Sequence, residues 1–168
     1  MISNAKILTL DEFVSFGPDS IDIALTSGGF APIHPGHISC IQACKSYAPI
    51  TIVIVNGDKF LVRKHGKAFQ DIETRCQIVA SLRGVDYVIP FDSDKDNTMN
   101  EPIRRIMPAF FVKGGDRADK ASIPEWDTCE EVNTKIITGA GLAKLWSSSN
   151  FLGDWGTFIL SKMWKDAL

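Results

Sequence analysis

The sequence predicts an α/β fold, a parallel sheet with helices on both faces. Short apolar, β-branched runs recur at residues 21–26, 50–56, 85–91, 109–113 and 135–138. Segments with helical periodicity lie between them. Glycine, proline and acidic clusters punctuate the joins. Strands buried on both faces read as continuous apolar runs rather than alternating ones. Alternation of such strands with helices implies crossover connections and a parallel sheet.

Residues 1–20 read as a lead-in, with a short amphipathic helix over 8–16 ended by Gly17-Pro18-Asp19. The first strand, 21–26, runs into Ser27-Gly28-Gly29, and a helix follows over about 36–47. Pro49 separates that helix from the second strand, 50–56. Residues 56–70 carry Lys59, Arg63, Lys64, His65 and Lys67 and read as a mobile loop with one helical turn. Ile72, Cys76, Val79 and Leu82 mark a helix over 71–83, with Gly84 as its C-terminal cap. The third strand, 85–91, leads to an acidic turn over 92–97. A helix over 99–107 tolerates Pro102 in its first turn.

The fourth strand, 109–113, ends in Gly114-Gly115-Asp116. Residues 117–133 read as irregular, with a short helix near 125–132, and the fifth strand covers 135–138. Gly139 to Gly141 form a tight turn. Ser147-Ser148-Ser149 precede a last helix, which Gly153 and Gly156 are expected to interrupt. The 168 residues fit one domain, with 21–152 as its core and 153–168 as a C-terminal extension.

The net charge of −2 leaves no electrostatic footprint for nucleic acid or an anionic membrane. No run is long enough to span a bilayer. The N-terminal residues lack a basic stretch followed by an apolar signal core, so a cytoplasmic location is expected. Cys40, Cys44, Cys76 and Cys129 form no CxxC pair and are expected to be buried free thiols. The four tryptophans are expected to pack, and Arg104 and Arg105 to be solvated on their helix.

The segment from Ser27 to His37 carries the chemistry. Glycines at a strand end let backbone approach a ligand. The helix N-terminus beyond them offers unpaired N–H groups and a positive dipole end to phosphate. His34 and His37, flanking Gly36, stand where they can donate to phosphoryl oxygens. The 113–116 turn offers backbone to a base or ribose, and Asp116 can accept from hydroxyls. Ser147 to Ser149 cap a helix, and the same geometry offers hydroxyl and N–H groups to phosphates. Asp58 either anchors its loop or binds substrate.

With these residues in order, the chain resembles the cytidylyltransferase-like nucleotidyltransferases. Residues 28–37 resemble their GxFDxxHxGH pattern. Asn56-Gly57-Asp58 resembles the family's NSD, Lys64 to Lys67 its lysine-bearing loop, and Glu73-Thr74-Arg75 its ERxxIL helix. Residues 85–91 resemble VDxVIPF, residues 112–116 the VKGGD of heptose-phosphate adenylyltransferases, and Ser147 to Ser149 the closing serine/threonine cluster.

The resemblance implies a Rossmann-like three-layer sandwich with a five-stranded parallel sheet in the order 3-2-1-4-5. It implies transfer of a nucleotidyl group from CTP or ATP to a phosphorylated sugar or polyol, with pyrophosphate released. His34, His37 and Lys64 are the implied catalytic residues. Gly28, Gly29, Phe30, Gly36, Lys113 to Asp116 and Ser147 to Ser149 would bind the nucleotide, and Asp58 and Lys67 the acceptor. Magnesium would arrive with the triphosphate, with no dedicated metal ligands in the protein. A homodimer is consistent with the resemblance.

The glycerol-phosphate branch is close through Lys64 and Lys67-Ala68. Pantetheine-phosphate and nicotinamide-mononucleotide adenylyltransferases share HxGH but not the VDYVIPF and VKGGD segments. Ala31 stands where the family has an aspartate, which keeps a nonenzymatic nucleotide-binding protein as a rival reading. Leu145-Trp146 replaces the arginine-bearing stretch of the RTEGIST pattern, with Lys144 the nearby cation.

Overall fold

The computed structural model describes residues 5–18, 21–93, 97–115 and 117–166. Among these residues, six parallel strands form one sheet. They are β1 (Lys6–Ile7), β2 (Ile23–Gly28), β3 (Ile50–Asn56), β4 (Tyr87–Phe91), β5 (Phe110–Gly114) and β6 (Lys135–Ala140). The order is β1-β4-β3-β2-β5-β6. Within it, β4-β3-β2-β5-β6 reproduces the expected 3-2-1-4-5, and the sixth strand corrects the expected five. The added strand comes from the lead-in, where Lys6 and Ile7 pair with Tyr87 and Val88. Two residues leave too little periodicity in sequence to mark a strand. Their pairing depends on an edge formed 81 residues later.

The helices are α1 (Leu10–Phe16), α2 (Pro35–Ala43), α3 (Asp58–His65), α4 (Ile72–Ala80), α5 (Asn100–Ile106), α6 (Trp126–Glu131) and α7 (Ser148–Asp166). A turn of 3-10 helix, Cys44–Ser46, extends α2. Thr9 and Glu12 form a reciprocal capping box at α1. Phe13 then packs edge-on against Tyr87 at 5.2 Å between centroids.

Strand alternation divides the core into two faces. Leu25, Ile52, Ile54, Ile89 and Phe111 face α1, α5 and α6 in one cluster, with Phe13, Ile103 and Cys129. Val53, Val55 and Val88 face the other way, against Ile41 of α2 and Cys76 and Val79 of α4. Ala24, Cys40, Cys44 and Val112 make a smaller cluster where α2 lies close to the sheet. All four cysteines are free and buried. Burial raises the thiols of Cys44 and Cys129 to about 12 and that of Cys76 to about 11.

Three other expectations are corrected. The stretch read as a mobile loop holds α3, a helix of 8 residues. Its N-terminal amides on Lys59 and Phe60 donate to Asp92 at 2.8 and 3.3 Å, a cap supplied from beyond β4. Gly57 is required there, because a Cβ would lie 2.2 Å from the Asp92 carboxyl carbon. Neither Gly153 nor Gly156 interrupts α7, which runs unbroken for 19 residues. Trp155 and Trp164 on that helix do not pack into the core; they are 61% and 73% exposed. Trp126 does join the core, and Trp146 is half-buried. Arg104 and Arg105 carry surface ion pairs with Glu131 and Asp11.

Candidate active site

β2 and β5 are paired only at Ala24–Phe110 and Leu25–Phe111. Beyond that they part, and β2 continues to Gly28 and β5 to Gly114. This is where the strand order reverses, the place where open parallel sheets bind ligands. A cleft of about 490 Å³ opens there at the carboxyl ends of the strands.

Its base is the turn between β2 and α2. Phe30 adopts a left-handed backbone, φ 51°. Its ring lies over Gly28, where a Cβ would stand 2.9 Å from it. Gly28 therefore makes room for Phe30 as well as bordering the cleft. Phe30 in turn meets His37 edge-on at 5.1 Å. His34 caps α2, and its Nδ1 accepts the His37 backbone N–H at 3.3 Å. With Nδ1 an acceptor, a neutral His34 carries its proton on Nε2, which is left as a donor.

The His34 and His37 rings stack at 3.6 Å and 15°. Gly36 fits beneath, since a Cβ there would meet the His34 ring at 3.2 Å. Both imidazoles titrate below their usual value. Burial pushes His37 down to about 4, with the charges of His34 and Lys64 adding to it. Burial also lowers His34. His37 Nδ1 is buried with no hydrogen-bond partner. Two neutral imidazoles thus line a cleft with donor capacity in hand.

Cations converge from separate elements. Lys64 projects from the last turn of α3, and Arg117 and Lys144 come from the segments after β5 and β6. Burial, then Arg117 and Lys144, depress the Lys64 ammonium. Mutually destabilising positive charges in a concave site are what an anionic ligand relieves. Ser147, Ser148 and Ser149 close the same wall. Ser147 caps α7, its Oγ accepting from Asn150 N–H at 3.4 Å, while Ser148 Oγ donates to the Pro32 carbonyl at 2.8 Å. Gly115 turns the chain after β5 with φ 72°, a conformation that favours glycine.

The expected residues divide. His34, Gly36, His37, Lys64, Gly28, Gly29, Phe30, Lys113, Gly114, Gly115 and the three serines line the cleft. Asp116 lies outside the described residues. Lys67 is exposed and does not line it. Asp58 does not line it either. Its Oδ1 is 2.5 Å from Arg75, the anchoring alternative. Arg75 is fully buried and was not singled out in sequence as a site residue. Its guanidinium also donates to the carbonyls of Gly29, Asn56 and Gln70 at 2.9, 2.6 and 3.0 Å. One side chain so fixes the turn after β2, the end of β3 and the start of α3.

Sequence reasoning also passed over Arg117 and Glu125. Arg117 directly follows the VKGGD-like stretch, while Glu125 lies in a segment that matches no motif; the fold brings both to the cleft.

A sequence model of the cytidylyltransferase-like family matches residues 25–140, well over half of the chain. The chain is 36% identical over 103 residues to the bifunctional protein HldE of Sulfurimonas denitrificans, covering 60% of this chain and 21% of that protein. It is 34% identical over 116 residues to the bifunctional protein HldE of Methylococcus capsulatus, covering 68% and 24%. The matched region is thus between a fifth and a quarter of the length of these curated relatives.

Two solved structures share the fold. One is the lipopolysaccharide core biosynthesis protein of Thermoplasma volcanium, with TM-score 0.58 and 21% identity over 73% of this chain and 99% of that one. The other is the pantoate-beta-alanine ligase of Francisella tularensis, with TM-score 0.61 and 19% identity over 87% and 72%. Among the described residues, no group of three His, Cys, Asp or Glu is placed to hold a metal ion, and no helix is long and apolar enough to cross a membrane.

Proposed function

The chain belongs to the cytidylyltransferase-like family, and on that premise we propose that it transfers a nucleotidyl group from CTP or ATP to a phosphorylated sugar or polyol. The stacked His34–His37 pair, at the start of α2 in a cleft ringed by Lys64, Arg117 and Lys144, carries this reading. A phosphate oxygen of the acceptor attacks the α-phosphorus. A new P–O bond forms, the bond to the β-phosphate oxygen breaks, and pyrophosphate leaves with its charge. Such chemistry needs positioning and stabilisation of spreading negative charge rather than covalent help.

His34 Nε2 and the His37 ring would donate to the phosphate oxygens. Lys64 would bring a cation to the transferring group on α3. The wall of Ser147 to Ser149 would hold the outer phosphates. Magnesium enters with the triphosphate as part of the substrate. The likeness to HldE over the matched region supports a sugar phosphate as acceptor. Four buried thiols and a nucleotide substrate suit a cytoplasmic setting. Self-association into a homodimer is part of the same reading, and light scattering tests it.

The decisive experiment is pyrophosphate release with CTP and ATP against glycerol 3-phosphate and a panel of sugar 1-phosphates. One pair is expected to turn over. His37→Ala is expected to lower kcat by about 100- to 1000-fold, the scale of losing a preorganised donor to transition-state charge. Its melting temperature is expected to move by only a few degrees. Ala31, buried and without a carboxylate where the family has one, favours the rival. Nucleotide binding without turnover on any acceptor would establish that rival, a nonenzymatic nucleotide-binding protein.

A further inference from the structure

Glu125 is a carboxylate only 4% exposed, at the start of α6 on the cleft wall. Its Oε1 accepts the Met99 backbone N–H at 3.1 Å. Its Oε2 is buried with no hydrogen-bond partner. The nearest cation, Lys113 Nζ, lies 3.9 Å away, beyond hydrogen-bond reach. Lys113 is itself only 7% exposed. It donates to Ser27 Oγ at 3.1 Å across the gap between β2 and β5, and stands 4.2 Å over the Phe111 ring. An ammonium has three donors, so Lys113 has donor capacity left. A buried acceptor without a donor is costly, and such groups call for an explanation.

We propose that Glu125 and Lys113 form a hydroxyl-binding subsite in the cleft, taking a ligand hydroxyl that donates to Glu125 Oε2 and accepts from Lys113 Nζ. The charge pattern excludes the alternatives. A metal ion or a ligand ammonium would meet the Lys113 charge, and a phosphate would meet the Glu125 charge. A hydroxyl is neutral and is donor and acceptor on one atom. An oxygen about 2.8 Å from each group fits a pair 3.9 Å apart. The hydroxyl belongs either to the nucleotide ribose or to the acceptor. The chemistry is the same, and the subsite rests on the nucleotidyl-transfer reading only for the second source.

Glu125→Gln keeps size and the acceptor for Met99 but places an amide where the hydroxyl must donate. Calorimetry on wild type and variant would use CTP, ATP and their 2′-deoxy and 3′-deoxy forms. Kinetics would use the acceptor that turns over. For a ribose hydroxyl, a deoxy form binds wild type at least tenfold more weakly, and the variant loses that discrimination. For an acceptor hydroxyl, ribo and deoxy forms bind alike, and the variant raises the acceptor KM at least tenfold with kcat within about threefold.

A folded variant with nucleotide Kd, ribo-to-deoxy ratio and acceptor KM all within twofold of wild type overturns the proposal. Should Glu125→Gln not fold, the wild type decides. Deoxy nucleotides and deoxy analogues of the acceptor that all match their parents within twofold overturn it as well. The calorimetric arm needs no turnover, so failure of the subsite and failure of the enzymatic reading give different results.

Discussion

Among the described residues, two buried cations at the carboxyl ends of the strands each face a carboxylate, and the two pairs are spent differently. Arg75 and Asp58, on the β3 side, use their polar groups internally. Arg75 makes four hydrogen bonds to four residues. Lys113 and Glu125, on the β5 side, stand 3.9 Å apart with a carboxylate oxygen unmatched. A satisfied pair holds backbone in place. An unsatisfied pair beside a cleft holds capacity for a ligand. Burial and charge alone do not separate the two roles; the tally of used and unused donors and acceptors does.

The largest effect should come from breaking the satisfied pair. Arg75→Met leaves the carbonyls of Gly29, Asn56 and Gln70 without their donor and Asp58 without its cation. Loss of one partner of a buried pair costs about 3–5 kcal/mol. Asp58 is 41% exposed in its side chain and can turn to water, which puts this case near about 3 kcal/mol. For a domain of this size that is a fall of about 6–12 °C in melting temperature. Thermal and urea melts check it. A melting temperature within about 2 °C of wild type would erase the contrast, because Arg75 would then be no more structural than Lys113.

How far the sequence speaks follows the same division. The strand runs and the His34–His37 turn rest on local patterns and are legible, and the sheet order follows from the family resemblance those patterns carry. α3 was hidden because its N-terminal cap, Asp92, comes from 33 residues beyond Lys59. β1 was hidden because a two-residue strand has no period. Gly153 and Gly156 suggested a break in α7, yet nothing lies within 4 Å of a Cβ at either position. A glycine lowers helix stability by only about 1 kcal/mol relative to alanine, which does not oblige a break. Arg75 sits in a motif and Glu125 in none, yet what either does is illegible for a further reason. Their roles depend on which partners the fold delivers, and each partner sits on another element.

A middle-sized effect should come from a cation of the cleft that is strained rather than satisfied. Lys64 is depressed by burial and by the like charges of Arg117 and Lys144. Lys64→Ala removes a charge-assisted contact to a triphosphate, so affinity should fall about tenfold, with a smaller loss at high salt. The same change relieves repulsion in the free protein, so the melting temperature should hold or rise. Calorimetry at two salt concentrations and a thermal melt check both signs. A drop in stability with unchanged affinity would move Lys64 to the structural side of the comparison.

The smallest effect tests the histidines by acid. The His37 imidazole titrates at about 4 in the folded chain, against an ordinary value of 6.5. Between those values the unfolded chain binds a proton that the folded chain refuses. His37 therefore contributes no pH-dependent penalty above 6.5 and costs stability progressively as pH falls from 6.5 toward 4. The ring is half-buried, so screening reduces this to about 1 kcal/mol. His37→Asn should flatten that acid limb, seen as melting curves that converge with wild type near neutrality and run higher at pH 4.5. A bound triphosphate should turn the same ring the other way, because a nearby anion raises an imidazole's affinity for protons. Binding of a nonhydrolysable nucleotide should thus tighten from pH 7.5 to 6 in wild type and much less in His37→Asn. Equal pH dependence in the two proteins would mean that the ring does not face the phosphates.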